Sequence, residues 1–258
     1  MSREADISFV YPCFNRATLF RGTLQSFLEQ EEQEQIAYEL VVVDDGSTDD
    51  LWATLQEFEE LPIRAYRIDV AGIQGIFQHA GANNPAVALN VGIRQAEGAR
   101  VVLSSPEIKH TMTTNLARLA GWPLKPHEAL VCDVVDPTYG MIGGGTQRRK
   151  LHFLNMFWRV DLLEARGFEE EFMRGWAYED SEFVLRWERL GHSFTFSEGQ
   201  IAAFHQPHPR VEALNVGGTM RNQQLFTKLT ASDAGIANAM RDFGSSDFII
   251  DAWVSPRC

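Results

Sequence analysis

The chain has 258 residues, of which 45% are hydrophobic, so it is long enough for one α/β domain with a substantial core. Its 35 acidic residues outnumber 23 lysines and arginines, and the formal charge of -12 argues against broad, sequence-independent attraction to nucleic acid or anionic membranes. The N-terminus lacks a signal-peptide core and no run of about 18 apolar residues occurs, so we expect a cytoplasmic protein without stable membrane insertion. The spacing of Cys13, Cys132 and Cys258 predicts free thiols.

The first hundred residues alternate between short apolar runs and segments with helical spacing. The predicted strands are residues 7–12, 39–43, 63–68 and 100–103, and the predicted helices are residues 17–30, 50–59 and 85–97. Alternation of this kind predicts βαβ units and therefore a mostly parallel central sheet flanked by helices.

The second half contains shorter elements and one glycine-rich segment. Further strands are predicted at residues 129–135, 151–158, 194–196 and 201–204, and further helices at residues 113–120, 159–166 and 180–190. Residues 137–150 hold four glycines, which predicts a mobile loop rather than a packed element. The chain after Gly218 is predicted to be helical. We therefore expect one domain over residues 1–215, divided near residue 107, and a helical tail over residues 216–258.

Acidic residues follow the second predicted strand. The run VVVDDGSTDD at residues 41–50 places Asp44 and Asp45 at the carboxyl end of a buried strand, where open α/β sheets bind their ligands. Two carboxylates suit hydrogen bonds from a base or ribose and would repel a bare phosphate without a metal. The alternative is that these acids only begin a turn, with Asp49 or Asp50 capping the next helix.

Three segments of the first half resemble the GT-A glycosyltransferases, especially the inverting enzymes of family 2. Residues 9–16 (FVYPCFNR) resemble the opening strand and P-x-Y/F-N-R turn, residues 41–49 resemble the VVVDDGSTD segment, and residues 90–98 resemble the N-x-G-I-x-x-A-x-G helix. The resemblance implies a GT-A fold and a nucleotide-sugar donor with uracil as the favoured base.

Motifs of the second half are similar to those of galactosyltransferases and chondroitin-polymerase-like enzymes. Residues 167–170 (GFEE) resemble G-F-D-E, residues 175–180 (GWAYED) resemble G-W-G-x-E-D, and residues 204–206 (FHQ) resemble Y-H-Q. The likeness covers about residues 7–210. The family's Asp-x-Asp is represented by Ser105, Pro106 and Glu107, so only the second acid is kept, as a glutamate.

The resemblance assigns donor and metal residues. The implied donor pocket is lined by Pro12, Phe14, Arg16, Asp44, Asp45 and Ser105. Mn²⁺ or Mg²⁺ would neutralise the leaving diphosphate, and Glu107 and His205 are the predicted ligands. The candidates for phosphate contacts or for a closing lid are Arg148, Arg149, His208 and Arg210.

Residues 175–180 are the predicted acceptor side of the site. Asp180 is the expected general base of a single displacement, and its alternative role is to cap the helix that follows. Trp176, Tyr178 and Glu179 are expected to bind the acceptor, although core packing competes for Trp176. A glycan is the favoured acceptor, with protein and modified nucleic acid as alternatives.

Two other functions remain open. A non-catalytic sugar- or nucleotide-binding module would keep the fold and lose the chemistry, as the altered Asp-x-Asp suggests. A nucleotidyltransferase is disfavoured, because such enzymes need a glycine-rich, basic loop after the first strand and this chain has Tyr-Pro-Cys-Phe-Asn-Arg there.

Overall fold

A computed structural model describes residues 5–32, 34–77, 84–150, 153–209, 216–231, 237–239 and 242–258. The strands are β1 (Ile7–Cys13), β2 (Tyr38–Asp44), β3 (Ile63–Ile68), β4 (Arg100–Ser104), β5 (Ile108–His110), β6 (Glu128–Val131), β7 (Asp133–Asp136), β8 (Gly140–Gly143), β9 (Leu154–Trp158), β10 (Ser193–Phe196), β11 (Ala202–His205) and β12 (Ile249–Val254). The α-helices are α1 (Ala17–Leu28), α2 (Leu51–Gln56), α3 (Val70–Phe77), α4 (Ala86–Gln95), α5 (Asn115–Gly121), α6 (Arg159–Glu164), α7 (Glu179–Arg189) and α8 (Val216–Thr230). Short 3₁₀ helices cover Glu170–Arg174 and Ser246–Phe248.

The large sheet has the strand order β10-β6-β9-β4-β1-β2-β3-β12. β1 pairs in parallel with both β2 and β4, and β2 pairs in parallel with β3. β9 is antiparallel to β4 and β6, and β12 is antiparallel to β3. The predicted mostly parallel sheet flanked by helices is therefore confirmed.

Helices cover both faces of the sheet, and β1 shows how the sequence directs this. Alternate residues of a strand point to opposite faces. Phe9 and Tyr11 pack with α1, while Val10 packs with Leu89 and Ile93 of α4. A Cβ at residue 92 would lie 2.3 Å from Val10 Cγ1, so the glycine of the N-x-G-I segment lets α4 approach the sheet closely.

A second, smaller sheet has the order β5-β11-β7-β8. The predicted strand at residues 129–135 is in fact two strands, β6 and β7, which separate at Cys132 and enter different sheets. The prediction of an unpacked loop at residues 137–150 was wrong, because β8 pairs with β7 and Gly144 bridges Arg149. This small sheet carries the ends of β7 and β11 to the carboxyl end of β4.

The chain after residue 215 is only partly helical. α8 agrees with the prediction, whereas residues 249–254 form β12 on the edge of the large sheet. Cys13 and Cys132 are buried and all three cysteines are free, as predicted. Among the helices of the described ranges, none combines the length and the apolarity that crossing a membrane requires.

Candidate functional site

The loops that follow β1 and β2 are fastened to each other at the carboxyl edge of the sheet. Asn15 N donates to Ser47 Oγ at 3.0 Å, and Thr48 N donates to Asn15 Oδ1 at 2.8 Å. Asp49 Oδ2 accepts from Ala17 N at 2.9 Å, so Asp49 serves the start of α1 rather than the helix that follows it. These contacts fix the positions from which Pro12, Phe14 and Arg16 extend.

Asp44 and Asp45 occupy different environments. Asp44 is buried and accepts from Ser47 N at 2.7 Å, Trp52 Nε1 at 2.6 Å and Arg67 Nε at 2.9 Å. Asp45 is half-buried, and within the described residues its carboxylate has no hydrogen-bond partner. Burial raises the pKa of Asp45 to about 8, and the charge of Asp44 adds to this rise. Asp44 thus holds the loop together, whereas Asp45 does not contribute to these contacts.

Glu107 joins the loops after β1, β4 and β11. Its Oε1 accepts from Arg16 Nε at 2.8 Å and lies 3.5 Å from His208 Nε2. Gln206 N donates to the Glu107 carbonyl at 2.9 Å, and the Ser105 carbonyl accepts from Ile108 N at 3.0 Å. Three of the residues predicted from separate motifs therefore meet: Arg16, Glu107 and His208.

His205 is oriented by Asp136, a residue that the sequence reasoning missed. Asp136 Oδ2 lies 2.7 Å from His205 Nδ1, and its Oδ1 accepts from Thr138 N and Tyr139 N. The rings of His205 and His208 are 5.1 Å apart. With Nδ1 bound to a carboxylate, the Nε2 of His205 is left for a ligand. Asp136 is the last residue of β7, just as Asp44 is the last residue of β2. This position at a strand end is the signal by which Asp136 could have been found in the sequence.

The segment before α7 forms an open pocket of about 400 Å³, lined by Trp176, Ala177, Tyr178, Asp180, Ser181 and Thr219. Ala177 and Tyr178 have φ of 60° and 76°, a left-handed conformation that is unfavourable for residues other than glycine. Asn222 of α8 is fully buried and donates to the Ala177 carbonyl at 2.8 Å. A Cβ at Gly175 would lie 2.4 Å from the Gly218 carbonyl, so this close contact requires glycine.

Two neighbouring carboxylates at the start of α7 face different surroundings. Asp180 is half-buried and lines the pocket, and its Oδ1 accepts from Ser181 N at 2.6 Å. Glu179 is buried, and its Oε2 accepts from Asn84 Nδ2 at 2.7 Å. Burial raises the pKa of Glu179 to about 7, and the charge of Asp180 adds to this rise. The structure thus places Asp180 at the pocket and turns Glu179 towards the protein interior.

The raised pKa of Glu179 predicts a pH-dependent stability. In the folded protein the Glu179 carboxyl group stays protonated up to about pH 7, whereas the ordinary pKa of a glutamate is 4.5. Between these pH values the folded state therefore binds more protons than the unfolded state. Wild-type stability should therefore fall as pH rises from 4.5 to 7, and Glu179→Gln should reduce that slope because glutamine stays neutral. The free energy of unfolding, measured with urea at several pH values, tests this expectation. Glu59→Gln, which replaces an exposed glutamate, is the matched control. An unchanged slope in Glu179→Gln would contradict the assignment.

The side-chain contacts of Arg148 and Arg149 in the β8 segment are with Phe196 and Gln147, neither of which is a predicted site residue. The Arg148 guanidinium sits over the Phe196 ring at 5.1 Å, and Arg149 Nε donates to Gln147 Oε1 at 3.0 Å. Phe196 belongs to β10, which is four strands from β1 in the large sheet. At about 4.8 Å per strand, these two strands are separated by roughly 19 Å. Arg210 lies outside the described residues.

Topology brings the remaining candidates to one edge of the sheet. The loops after β1, β2 and β4 leave the carboxyl ends of parallel strands, and β5 begins four residues after β4 ends. α4 and α7 each run back to the start of a parallel strand, so both helices begin at this same edge. Asp180, Asp45 and the group around Glu107 therefore share the ligand-binding edge typical of open α/β sheets.

The family model described as glycosyl transferase family 2 matches residues 8–171 of this chain. The chain belongs to glycosyl transferase family 2.

Comparison with individual proteins agrees with that family. Two validoxylamine A glucosyltransferases, from Streptomyces hygroscopicus subsp. jinggangensis (strain 5008) and S. hygroscopicus subsp. limoneus, are each 26% identical to this chain over 267 residues. These alignments cover 86% of the chain and 60% and 56% of the two relatives, so the chain spans little more than half of their length.

Solved structures show the same fold. A TarS 1-349 structure from S. aureus matches with a TM-score of 0.67 at 16% identity, over 90% of this chain and 66% of that one. TarS 1-349 has also been solved in complex with UDP-GlcNAc. The mannosyltransferase PcManGT from Pyrobaculum calidifontis, in complex with GDP-Man and Mn²⁺, matches with a TM-score of 0.59 at 18% identity, over 81% of this chain and 59% of that one. The GT-A fold predicted from the sequence is confirmed.

Proposed function

We propose that this chain is an inverting glycosyltransferase that moves a sugar from a nucleotide donor, a UDP-sugar by preference, to an acceptor hydroxyl. The observation that carries the proposal is that Asp180 lines an open pocket together with Trp176 and Tyr178. This pocket lies at the same sheet edge as the loops that hold Asp45 and Glu107. A base, a sugar-binding surface and a nucleotide-binding surface are what a single displacement needs.

The donor is assigned to the loops after β1, β2 and β4. Asp45 has a carboxylate without a protein partner in the described part of the chain, and it would accept hydrogen bonds from the base or ribose. Phe14, 37% exposed, and Pro12 offer apolar surface beside it. Arg16 and Ser105 would face the phosphates. The neighbours solved with UDP-GlcNAc and GDP-Man support a nucleotide-sugar donor for this chain as well.

We assign the divalent cation to the group around Glu107. This group offers a carboxylate and two imidazoles, and Asp136 orients one imidazole through its Nδ1. A carboxylate behind a metal-binding histidine fixes the ring and makes it a stronger ligand. Glu107 and His205 are the ligands we propose, with His208 beside them. When bound, Mn²⁺ or Mg²⁺ would offset the negative charge that develops on the departing diphosphate.

This assignment predicts weaker metal binding after substitution of either ligand. His205→Ala and Glu107→Ala should each reduce Mn²⁺ affinity at least about tenfold, since loss even of a residue that supports a ligand costs about that much. Calorimetric titration of Mn²⁺ in the presence of UDP measures this, with Glu59→Ala as the exposed-acid control. Full activity in excess EDTA would exclude the metal role.

The acceptor side is assigned to the pocket before α7. Aromatic faces pack against the C–H surfaces of sugars, so Trp176 and Tyr178 suit a glycan. Asp180 would take the proton of the attacking hydroxyl as the new glycosidic bond forms and the bond to the diphosphate breaks. Glu179, hydrogen-bonded to Asn84, would be protonated up to about pH 7 and would therefore add no negative charge beside Asp180 below that pH.

We also propose that residues 1–215 form the transferase domain, with a donor half up to about residue 107 and an acceptor half after it. Residues 216–258 pack on this domain through α8 and β12. Through Asn222, α8 supports the acceptor pocket.

The test of the function is a panel of UDP-, GDP- and dTDP-sugars, each assayed for hydrolysis and for transfer to simple glycans with Mn²⁺ present. Release of UDP together with a β-configured product from an α-configured donor would support an inverting transferase. Binding of a nucleotide sugar without any turnover would support the non-catalytic module instead.

A further inference from the structure

A second group of metal-ligating side chains lies at the opposite edge of the large sheet. His127 immediately precedes β6, His192 immediately precedes β10, and Asp161 lies in the first turn of α6, just after β9 ends. β6 and β10 are parallel to each other, so both begin at the same edge. The last residue of β9 pairs with the first residue of β4, which places this group at the amino ends of the parallel strands, away from the donor loops.

The three side chains converge. One ligand atom from each of His127, Asp161 and His192 lies within 4.8 Å of the other two. Asp161 Oδ1 is 3.0 Å from His127 Nδ1, and Asp161 Oδ2 accepts from the His127 backbone N at 2.9 Å. The imidazole rings are 5.0 Å apart. Asp161 is only 2% exposed, so its carboxylate is held in place by the surrounding protein.

The ring of His192 has one nitrogen whose hydrogen bonding is not satisfied. Its Nδ1 is buried and has no hydrogen-bond partner among the described residues. A buried polar atom without a partner is costly, so such an atom calls for an explanation such as an ion.

We propose that His127, Asp161 and His192 bind a divalent transition metal of the Zn²⁺ type. Two imidazoles and one carboxylate are a ligand set that Zn²⁺ accepts, and three protein ligands leave one tetrahedral position for water. Bonds of about 2.0–2.2 Å bring tetrahedral ligand atoms to roughly 3.3–3.5 Å from one another, so the group must tighten slightly. His127 allows this because its side chain is 59% exposed and can turn towards the ion.

The ion would join three segments that are distant in sequence. It would tie the start of β6 to α6 and to the turn between α7 and β10, which are the elements at the β10 edge of the sheet. The ring of buried Trp187 lies 4.3 Å from the His192 ring, so the fluorescence of this tryptophan is sensitive to the site. The inference does not rest on the proposed transferase function.

The experiment is a calorimetric titration of Zn²⁺ in the absence of nucleotide. It is carried out on the Glu107→Ala/His205→Ala protein, in which the donor-side group cannot compete for the ion. We expect one Zn²⁺ per chain, and at least about tenfold weaker binding after His127→Ala or Asp161→Asn. The matched control is Glu164→Gln, an exposed acid of the same helix that lies outside the three ligands.

His127→Ala is the decisive variant because the side chain is exposed and its loss leaves the core intact. Zn²⁺ should raise the Tm of the parent protein and change its tryptophan emission, and both effects should disappear in His127→Ala but persist in Glu164→Gln. Equal Zn²⁺ affinity in His127→Ala and its parent would overturn the proposal, as would a parent protein that binds no Zn²⁺.

Discussion

Asp180→Asn should reduce the kcat of sugar transfer by about 10²–10⁴-fold, because asparagine cannot take the proton of the acceptor hydroxyl. Donor affinity should change by less than about twofold, since the donor loops lie on other strands. The substitution keeps the shape of the side chain, and Asn Oδ1 can still accept from Ser181 N as Asp180 Oδ1 does. A loss of kcat without a loss of donor binding therefore separates a base from a donor contact.

The measurements are the kcat of the best donor and acceptor pair and the calorimetric affinity for UDP. Asp251→Asn is the matched control, because Asp251 is exposed on β12, far along the chain from the site. A kcat of Asp180→Asn equal to that of wild type would place the base elsewhere. Glu179 would then be the next carboxylate to replace, since burial already raises its pKa to about 7.

Asn90→Ala is expected to destabilise the protein by about 2–4 kcal/mol. Asn90 is fully buried in α4; its Oδ1 accepts from Phe168 N at 2.8 Å, and its Nδ2 donates to Glu170 Oε1 at 2.9 Å. Glu170 Oε1 also accepts from Gly244 N, and the Phe168 carbonyl also accepts from Asn238. The cost therefore arises mainly from the Phe168 N–H left unpaired and from the lost bond to a carboxylate.

Thermal unfolding checks this expectation, and the Tm should fall by roughly 5–15 °C for a chain of this size. Gln25→Ala is the control, because it removes an exposed amide side chain from a helix and should change Tm by no more than about 2 °C. An Asn90→Ala protein with the Tm of wild type would show that the bonds to Phe168 and Glu170 contribute nothing. The prediction also explains the asparagine of the N-x-G-I segment as a structural cross-link between the two halves of the chain.

The local pattern of apolar residues was sufficient to predict most strands of the parallel part of the sheet. β2 is buried at every position, and its continuous apolar run indicated a central strand. The pattern failed at residues 129–135, where the apolar run continues through Cys132 although the chain leaves one sheet for another. It failed again at β12, whose residues are mostly exposed and show no alternation, because pairing with β3 rather than burial defines this strand.

Candidate site residues could be predicted where a motif at the end of a strand marks them. Their partners could not be predicted, because they come from distant loops. Glu107 was predicted from the family's Asp-x-Asp position after the fourth strand, and His205 from the Y-H-Q motif. Their partners Arg16 and Asp136 lie 91 and 69 residues away along the chain, and no spacing rule connects them. The sequence likewise did not indicate that the Glu179 side chain is directed to the protein interior. Its partner there is Asn84, which lies next to α7 only in the folded chain.

β12 has a consequence for the way the protein is made. β3 is completed early, yet the backbone amide of its first residue, Ile63, donates to Ser255 Oγ, 192 residues further along the chain. Until the ribosome has produced those residues, the backbone N–H and C=O groups on this side of β3 have no strand to pair with. Edges of this kind associate with other unfinished chains, and long-range pairing forms slowly. The nascent protein therefore depends on a strand that is made late to pair with this edge of β3.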